Sequence, residues 1–314
     1  MTGLAGKIFL GATLLVVAAL SVPLGVTSLQ ANRAAHAAVL RSLAGARRAA
    51  GELLAARTRA LAGMSGVMAG VPRFRERLLE SGDRATALEQ AREYRDLIGA
   101  AWVLVTDEDG ILVGRTDYPE EFGRDLSNAP LVAAALAGEQ SGGAWLDDLL
   151  GRMFIAVGTP LRESTAAPEG AVVAAYELDD SLARAIGAAT GTDVVFFALD
   201  SLHRPVIVGS TVAPVGMDGM DEPLRDSVFV AALTTDTLGA PIEVEANGAH
   251  LIGRAGEILS PAGDLRGGFV VFRSRAAELG AFRALRRTLL LAVIPGIGLA
   301  LAFAFLMERQ IAGV

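Results

Sequence analysis

The sequence predicts an α+β protein in which one water-soluble block lies between two membrane-spanning helices. Two apolar runs, Ile8–Leu29 and Thr288–Met307, contain no charged residue. Each is about 20 residues long, which is enough to cross a bilayer as a helix. Between them, a long helical pattern is followed by an order of two strands, a helix and three strands, which returns about 95 residues later. We therefore expect two similar α+β units behind a helical stalk.

These patterns divide the chain into eight segments. The segments are a cytoplasmic N-terminus over 1–7, a transmembrane helix over 8–29, stalk helices over 30–98, a membrane-distal module over 99–180, a membrane-proximal module over 181–273, a return helix over 274–287, a second transmembrane helix over 288–307, and the start of a cytoplasmic linker over 308–314.

The stalk is predicted to continue the first span as a helix from Leu29 to Val71, ending at Pro72. A second helical stretch covers residues 73–98. The apolar positions of the first helix that recur at helical spacing are Val39, Leu43, Leu53, Leu54 and Leu61. The side chains of such a stripe stay exposed to solvent unless another surface packs against them. We expect a parallel homodimer to do so, and the alternative is that the stripe packs on its own chain.

The first unit opens with a predicted hairpin, in which Ala101–Thr106 and Ile111–Arg115 flank the turn Asp107–Gly110. This turn lacks the residue order of a calcium-binding loop, so we interpret it as a hairpin turn. Asn128–Ala137 is a predicted helix, capped by Ser127 or Asn128. The remaining predicted strands are Gly142–Leu146, Met153–Leu161 and Gly170–Leu178.

A helix over Asp179–Ala189 links this unit to the second one. The predicted elements of the second unit are strands Asp193–Leu199 and Pro205–Thr211, a helix over Glu222–Leu233, and strands Pro241–Ala246, Ala249–Ile258 and Gly268–Arg273. A helix from Ser274 to Arg287 then returns the chain to the second span.

Composition excludes several classes of function. The net charge of −7 argues against a nucleic-acid partner. The histidines His36, His203 and His250 share no metal-ligand spacing, and we expect neither a metal nor a cofactor. The chain carries no G-x-S-x-G, P-loop, H-E-x-x-H or dinucleotide-binding motif. We therefore predict no catalytic residue in this chain.

Basic residues next to the spans set the expected orientation. Lys7 precedes the first span and Arg309 follows the second, which places both termini in the cytoplasm and residues 30–287 outside. The alternative, a cleaved signal peptide, is disfavoured by the nearly uncharged start and the missing cleavage motif. We expect a multi-pass protein of the inner (cytoplasmic) membrane with a periplasmic or extracellular central domain.

Local motifs of the first unit resemble the double-Cache sensory domains of bacterial transmembrane receptors. Val105–Gly114 resembles the Cache hairpin, and Phe122–Ser127 resembles the stretch that enters the helix over the pocket. Ala156–Leu161 followed by Gly170–Val173 is similar to the final hairpin.

In the second unit, Thr190–Phe197 followed by Ile207–Thr211 resembles the opening of a membrane-proximal Cache module. The resemblance covers residues 30–287 and implies two PAS-like Cache modules with antiparallel sheets. One departure is that the chain lacks the Arg-x-Trp-Tyr signature of the members that bind amino acids.

The resemblance also implies a small-molecule pocket between the first sheet and its covering loops. Arg115 and Arg152 could each clamp a carboxylate, which makes an anionic ligand the expectation, and aromatic side chains would supply apolar walls. The candidate ligand-binding residues are Tyr94, Trp102, Arg115, Tyr118, Trp145, Arg152 and Phe154. For each of them the alternative is ordinary packing or solvation. The acidic pair at 147 and 148 is interpreted as loop charge.

Together these features predict a receptor that senses a small extracytoplasmic ligand and signals through the second span. Arg309–Ala312 resembles the first turn of a HAMP linker, so we expect a longer protein whose output module is a kinase, a cyclase or a chemoreceptor domain. The alternative is a membrane-anchored structural or assembly subunit that grips a partner protein. That alternative predicts a collapsed pocket and an exposed apolar patch.

Overall fold

The computed structural model describes residues 4–72, 76, 84–147, 151–162, 167–211, 241–246, 249–274 and 298, without the side chains of 4–36 and 244–250. The predicted helix Glu222–Leu233, the return helix beyond Ser274 and all of the second span except residue 298 lie outside the described residues. Within the described part of the chain, no helix combines the length and the apolar character that a membrane crossing needs. Contacts divide the chain into residues 1–42 with 273–314, and residues 43–272.

The longest element is helix α1 (Leu4–Ala69), which runs unbroken from the first predicted span into the stalk. Val39, Leu43, Leu54 and Leu61 are all buried within a single chain. The expectation that this stripe would be wet without a partner is therefore wrong. Leu53 lies off the stripe and is 39% exposed.

The first sheet contains five strands in the order β2-β1-β5-β4-β3. They are β1 (Trp102–Asp107), β2 (Leu112–Arg115), β3 (Ser141–Asp147), β4 (Arg152–Leu161) and β5 (Gly170–Glu177). Every neighbouring pair is antiparallel. One face packs against α1 and helix α2 (Arg84–Ile98). The other face packs against the short helix α3 (Pro130–Leu136).

Helix α4 (Asp180–Thr190) connects the first sheet to the second. Its N-cap is Asp179, whose side chain accepts a hydrogen bond from the backbone N–H of Leu182 at 2.8 Å. Gly191 ends the helix at φ 65°, a left-handed conformation that glycine adopts without a Cβ clash.

The second sheet repeats the strand order of the first, as β7-β6-β10-β9-β8. Its strands are β6 (Asp193–Leu199), β7 (Pro205–Ser210), β8 (Ile242–Ala246), β9 (Ala249–Leu259) and β10 (Leu265–Ser274). The prediction of an α+β fold with two antiparallel sheets is confirmed. Strand β10 starts three residues before its predicted start and includes Ser274, which was expected to begin the return helix.

The turn between β1 and β2 is a hairpin turn, as the sequence predicts. Oδ1 of Asp107 accepts hydrogen bonds from the backbone N–H groups of Asp109 at 3.1 Å and Ile111 at 2.8 Å. This carboxylate thus holds its own turn together. Gly110 has φ 82°, and a Cβ there would lie 2.8 Å from the Cα of Ser127.

The start of α3 differs from the predicted cap. Its N-cap is Ala129, which makes no side-chain hydrogen bond, and Pro130 is the first helical residue. Proline begins the helix without a cap because its fixed φ suits the first turn. The hydroxyl of Ser127 instead donates to Oδ1 of Asp125 at 2.6 Å. This hydrogen bond lowers the pKa of the Asp125 carboxyl below its ordinary value.

Close packing of α3 on the sheet requires small residues beneath it. Ala156, Ala171 and Ala175 are fully buried on this face. At Gly158, a Cβ would collide with the carbonyl group of Leu131 in α3. Because the colliding group is backbone, it cannot move aside as a flexible side chain could.

We predict that Gly158→Ala destabilises the fold by about 1–3 kcal/mol, the usual cost of overpacking a core. Gly45→Ala is the matched control, because a Cβ at this exposed position of α1 meets nothing within 4 Å. That substitution should stabilise the protein by about 0.5–1 kcal/mol through helix propensity. Chemical denaturation measures both changes, and equal stability of the two variants would contradict this account of α3.

Candidate ligand cavity

A cavity of about 500 Å³ lies over the α3 face of the first sheet. Its lining comes from the two edge strands, β2 and β3, and from the loop between β2 and α3. The lining residues are Leu112, Arg115, Tyr118, Glu120, Glu121, Arg124, Leu126, Trp145, Leu146 and Asp147. This size and this mixture of apolar and charged groups suit a small ligand.

The loop that walls the cavity is bonded to the edge of the sheet. The backbone N–H of Leu112 donates to the carbonyl of Arg124 at 2.8 Å, and the N–H of Gly123 donates to the carbonyl of Leu112 at 2.8 Å. These hydrogen bonds therefore pair backbone groups of the edge strand β2 that would otherwise face solvent. Arg84 of α2 fixes the same loop, since its guanidinium lies 4.0 Å from the ring centroid of Phe122 and donates to the carbonyl of Pro119.

Arg115 is the buried cation of the cavity. Its guanidinium carbon lies 4.7 Å from the ring centroids of both Trp102 and Tyr118. Its Nε and Nη2 donate to the two carboxylate oxygens of Asp117, at 2.7 and 2.9 Å. Nη2 also lies 3.7 Å from Oδ2 of Asp147. One of the two edges of this guanidinium that can bind a carboxylate, formed by Nε and Nη2, is thus occupied by Asp117.

Tyr118 and Asp147 meet across the cavity. The Tyr118 hydroxyl donates to Oδ2 of Asp147 at 3.4 Å. Desolvation and then the Asp147 charge raise the pKa of Tyr118, while the Arg115 charge opposes this rise. The phenol therefore stays protonated and available as a donor at neutral pH.

Three predicted aromatic residues form one cluster on this face. Trp102 contacts Trp145 and Phe154 in edge-to-face geometry, with ring centroids 5.5 Å apart in both pairs. Trp145 lines the cavity, whereas Trp102 and Phe154 are fully buried behind it. Edge-to-face pairs add stability beyond the area they bury. The cluster therefore forms a packed apolar base for the cavity.

Arg152 lies apart from the cavity lining. Its Nε donates to Oε1 of Glu177 at 2.6 Å, and its Nη2 bonds the other oxygen of that carboxylate. Its guanidinium carbon lies 5.1 Å from the Phe154 ring centroid. The guanidinium that was expected to clamp a ligand thus joins strand β4 to Glu177 at the end of β5.

Tyr94 lies on the opposite face of the sheet from the other six candidates. It belongs to the core between α2 and the sheet, where it is 1% exposed. Burial raises the pKa of Tyr94 to about 12, although the influence of Ser65 opposes the rise. Tyr94 is a core residue of the helical side.

Most of the acidic residues that line the cavity were not predicted from the sequence. Asp147 was taken as loop charge, yet it is the last residue of β3 and lines the cavity. Alternation along a strand could have identified it, because residues 145 and 147 share one face. Glu120, Glu121 and Arg124 lie on a loop, where no such periodicity exists.

The solved structures to which this chain is similar include a ligand-binding domain, a sensor domain and a periplasmic domain. The ligand-binding domain of the Campylobacter jejuni chemoreceptor Tlp3, solved with 4-methylisoleucine, is 12% identical with a TM-score of 0.48, over 78% of this chain and 93% of that chain. The sensor domain of the V. cholerae histidine kinase DctB is 15% identical with a TM-score of 0.49, over 76% and 98%. The Vibrio cholerae LuxQ periplasmic domain is 13% identical with a TM-score of 0.46, over 74% and 100%.

No protein-family model and no curated protein matches the chain. At identities of 12–15%, no ligand and no site residue is carried over from the solved structures to this chain.

The burial of Tyr94 predicts a loss of stability in alkali. Below about pH 10 the phenol is protonated in both states. Between pH 10 and about 12, the unfolded chain loses the proton that folded Tyr94 keeps. Stability therefore falls as the pH rises, by about 2–3 kcal/mol in total. Denaturant titrations should show a steeper alkaline loss for wild type than for Tyr94→Phe, and parallel curves would contradict the assignment.

Proposed function

We propose that this protein is a transmembrane receptor that binds a small molecule in the first-sheet cavity and signals to a cytoplasmic output. The observation that carries the proposal is the cavity, which is walled by both edge strands and by a loop bonded to the sheet. A ligand there touches β2, β3 and the loop at once. It can therefore favour one arrangement of these elements over another.

The competing proposal, an assembly subunit, predicts a collapsed pocket. A cavity of about 500 Å³ with charged and aromatic lining favours the ligand-binding function instead. Burying a charged group costs free energy. A surface that only packs against a partner protein gains nothing in return for that cost.

The membrane arrangement is part of the proposal. We propose spans over 8–29 and 288–307, an external domain over 30–287 in the cytoplasmic membrane, and a HAMP-like linker from residue 308. The unbroken helix α1 supports it, because a continuous helix gives a stiff link between a span and the domain.

We also propose a homodimer, through a different face of α1 than the sequence suggested. Exposed apolar residues recur three or four positions apart along this helix, as Leu53, Ala56, Ala60, Met64 and Val67. Arg57 is the exposed charged residue on the face of this exposed stripe, and Val67 is 72% exposed. A second copy offers the same stripe, so a two-fold pairing would cover both.

We predict that Trp145→Ala weakens ligand binding about tenfold or more, because an aromatic wall of the cavity is lost. A small-molecule screen by thermal shift on the full chain in detergent identifies binders, and calorimetry then compares the variants. Leu202→Ala, an exposed apolar site in the second unit, is the control and should bind normally. If Trp145→Ala leaves the affinity of every binder unchanged, the cavity is not the binding site.

Location and pairing can be tested together, because the chain has no cysteine. In intact cells, Val67→Cys should react with a membrane-impermeant maleimide and should also crosslink to a second copy. Leu97→Cys, which is 67% exposed on α2, should react equally but not crosslink. Absence of labelling at both positions contradicts the external location. Equal crosslinking at both contradicts a dimer through the exposed stripe.

A further inference from the structure

We infer that residues 118–122 form a strap that opens and closes the cavity, and that Arg84 of α2 is the latch that holds this strap closed. The inference rests on the proposed ligand-binding function, because a cavity that is walled by a loop needs a way for its ligand to enter. It assigns a positioning role to Arg84, a residue that does not line the cavity.

Backbone hydrogen bonds anchor the strap at its two ends. Before the strap, the N–H of Thr116 donates to a carbonyl of β1 at 2.9 Å, and after it, the N–H of Gly123 donates to the carbonyl of Leu112 in β2 at 2.8 Å. Within the part of the chain that the structure describes, the backbone hydrogen bond of the strap is internal and runs from the N–H of Glu121 to the carbonyl of Tyr118. A segment anchored in this way can open without breaking the sheet.

The side chains of the strap divide into two sets. Three of its five residues line the cavity, namely Tyr118, Glu120 and Glu121. The other two, Pro119 and Phe122, are the residues that Arg84 contacts. Arg84 therefore holds the strap without occupying the space that a ligand would fill.

The latch consists of two kinds of contact. Nη2 of Arg84 donates to the carbonyl of Pro119, and its guanidinium carbon lies 4.0 Å from the ring centroid of Phe122. A charged donor strengthens a hydrogen bond, and a cation over an aromatic face is attracted by the ring. Phe122 is 61% exposed, so burial contributes little to its position. The guanidinium of Arg84 is what fixes this end of the strap.

The inner contacts of the strap are made by Tyr118. Its ring centroid lies 4.7 Å from the guanidinium carbon of Arg115, and its hydroxyl lies 3.4 Å from Oδ2 of Asp147. An ordinary hydrogen bond between a hydroxyl and an oxygen is about 2.7 Å long, so the second contact is weak. A ligand in the cavity competes with these inner contacts, whereas it does not reach Arg84. Closure therefore depends on Arg84 with and without a ligand.

The latch also connects the two faces of the first sheet. Arg84 is the first residue of α2. This helix packs through Ala91, Tyr94 and Ile98 on the face of the sheet opposite the cavity. Arg84 thus joins an element of one face to the wall of the cavity on the other. When a ligand favours one position of the strap, its effect can reach the helical side of the sheet through this residue.

The first measurement is hydrogen exchange of the strap amides, in the full chain in detergent and without a ligand. The variants are Arg84→Ala, Arg84→Lys and Arg92→Ala, and circular dichroism checks that each is folded. Arg92 is an exposed arginine of the same helix, which makes its loss the matched control for removal of one positive charge. Amides of a segment that opens locally exchange in proportion to its open population.

We expect Arg84→Ala to speed exchange in the strap about tenfold or more, the ratio that corresponds to loss of one charge-assisted hydrogen bond. Arg84→Lys should restore part of the protection, because an ammonium can still donate to Pro119, and Arg92→Ala should exchange like wild type. Unchanged exchange of the strap in Arg84→Ala would overturn the inference. Equally faster exchange in the strands of the second sheet would overturn it as well.

The second measurement asks whether the strap is the way into the cavity. The chain has no cysteine, so Leu112→Cys provides a single thiol at a position that lines the cavity and is 2% exposed. Val270→Cys places a thiol in the fully buried core of the second sheet instead, where it reports global unfolding. Both thiols are treated with iodoacetamide, with and without Arg84→Ala.

We expect Arg84→Ala to speed modification of Leu112→Cys about tenfold and to leave that of Val270→Cys unchanged. Similar acceleration of both thiols means that the whole domain is destabilised, and no acceleration at Leu112→Cys means that the strap is not the entrance. Either result overturns the inference. Neither measurement uses a ligand, so a failure of the ligand-binding function, shown by a screen without Trp145-dependent binders, is a separate result.

Discussion

The guanidinium of Arg115 connects the parts from which the cavity is built. It projects from the last residue of β2, stacks on Trp102 of β1, and is fixed by Asp117 and Tyr118 of the following loop. Asp147 at the end of β3, the opposite edge of the sheet, lies within 3.7 Å of it. A buried guanidinium is tolerated only where carboxylates and rings compensate its lost hydration. That need explains why acidic and aromatic residues converge here.

The two faces of the first sheet have different tasks, and their residue sizes show it. The α3 face carries several alanine residues and Gly158 beneath the helix. These small residues let α3 approach the backbone of the sheet closely. That close approach leaves the large aromatic residues displaced toward one end of the face, where the cavity lies. The opposite face of the sheet carries mainly valine, and side chains of α1 and α2, including Tyr94, fill the space above it.

The sequence predicts what depends on neighbours along the chain and misses what depends on neighbours in space. Alternation and turn residues locate the described strands to within a few residues, because both signals are local. The ion pair of Arg152 could not be predicted, since Glu177 reaches it only through the register that pairs Phe154 with Glu177. The prediction that the apolar stripe of α1 is exposed without a partner failed for a similar reason. An apolar stripe indicates that something covers it, but not whether the cover comes from the same chain or from another.

Strand β3 links the cavity to the second sheet. Trp145 and Asp147 at one end of this strand line the cavity. Two residues before Trp145, a Cβ at Gly143 would lie 2.7 Å from Cδ of Pro261, in the turn between β9 and β10. Backbones that approach this closely cannot slide independently, because packed interiors resist compression. Under the proposed receptor function, a ligand that shifts β3 would press on the turn that leads into β10. Strand β10 ends at Ser274, the point from which the sequence predicts the return to the membrane.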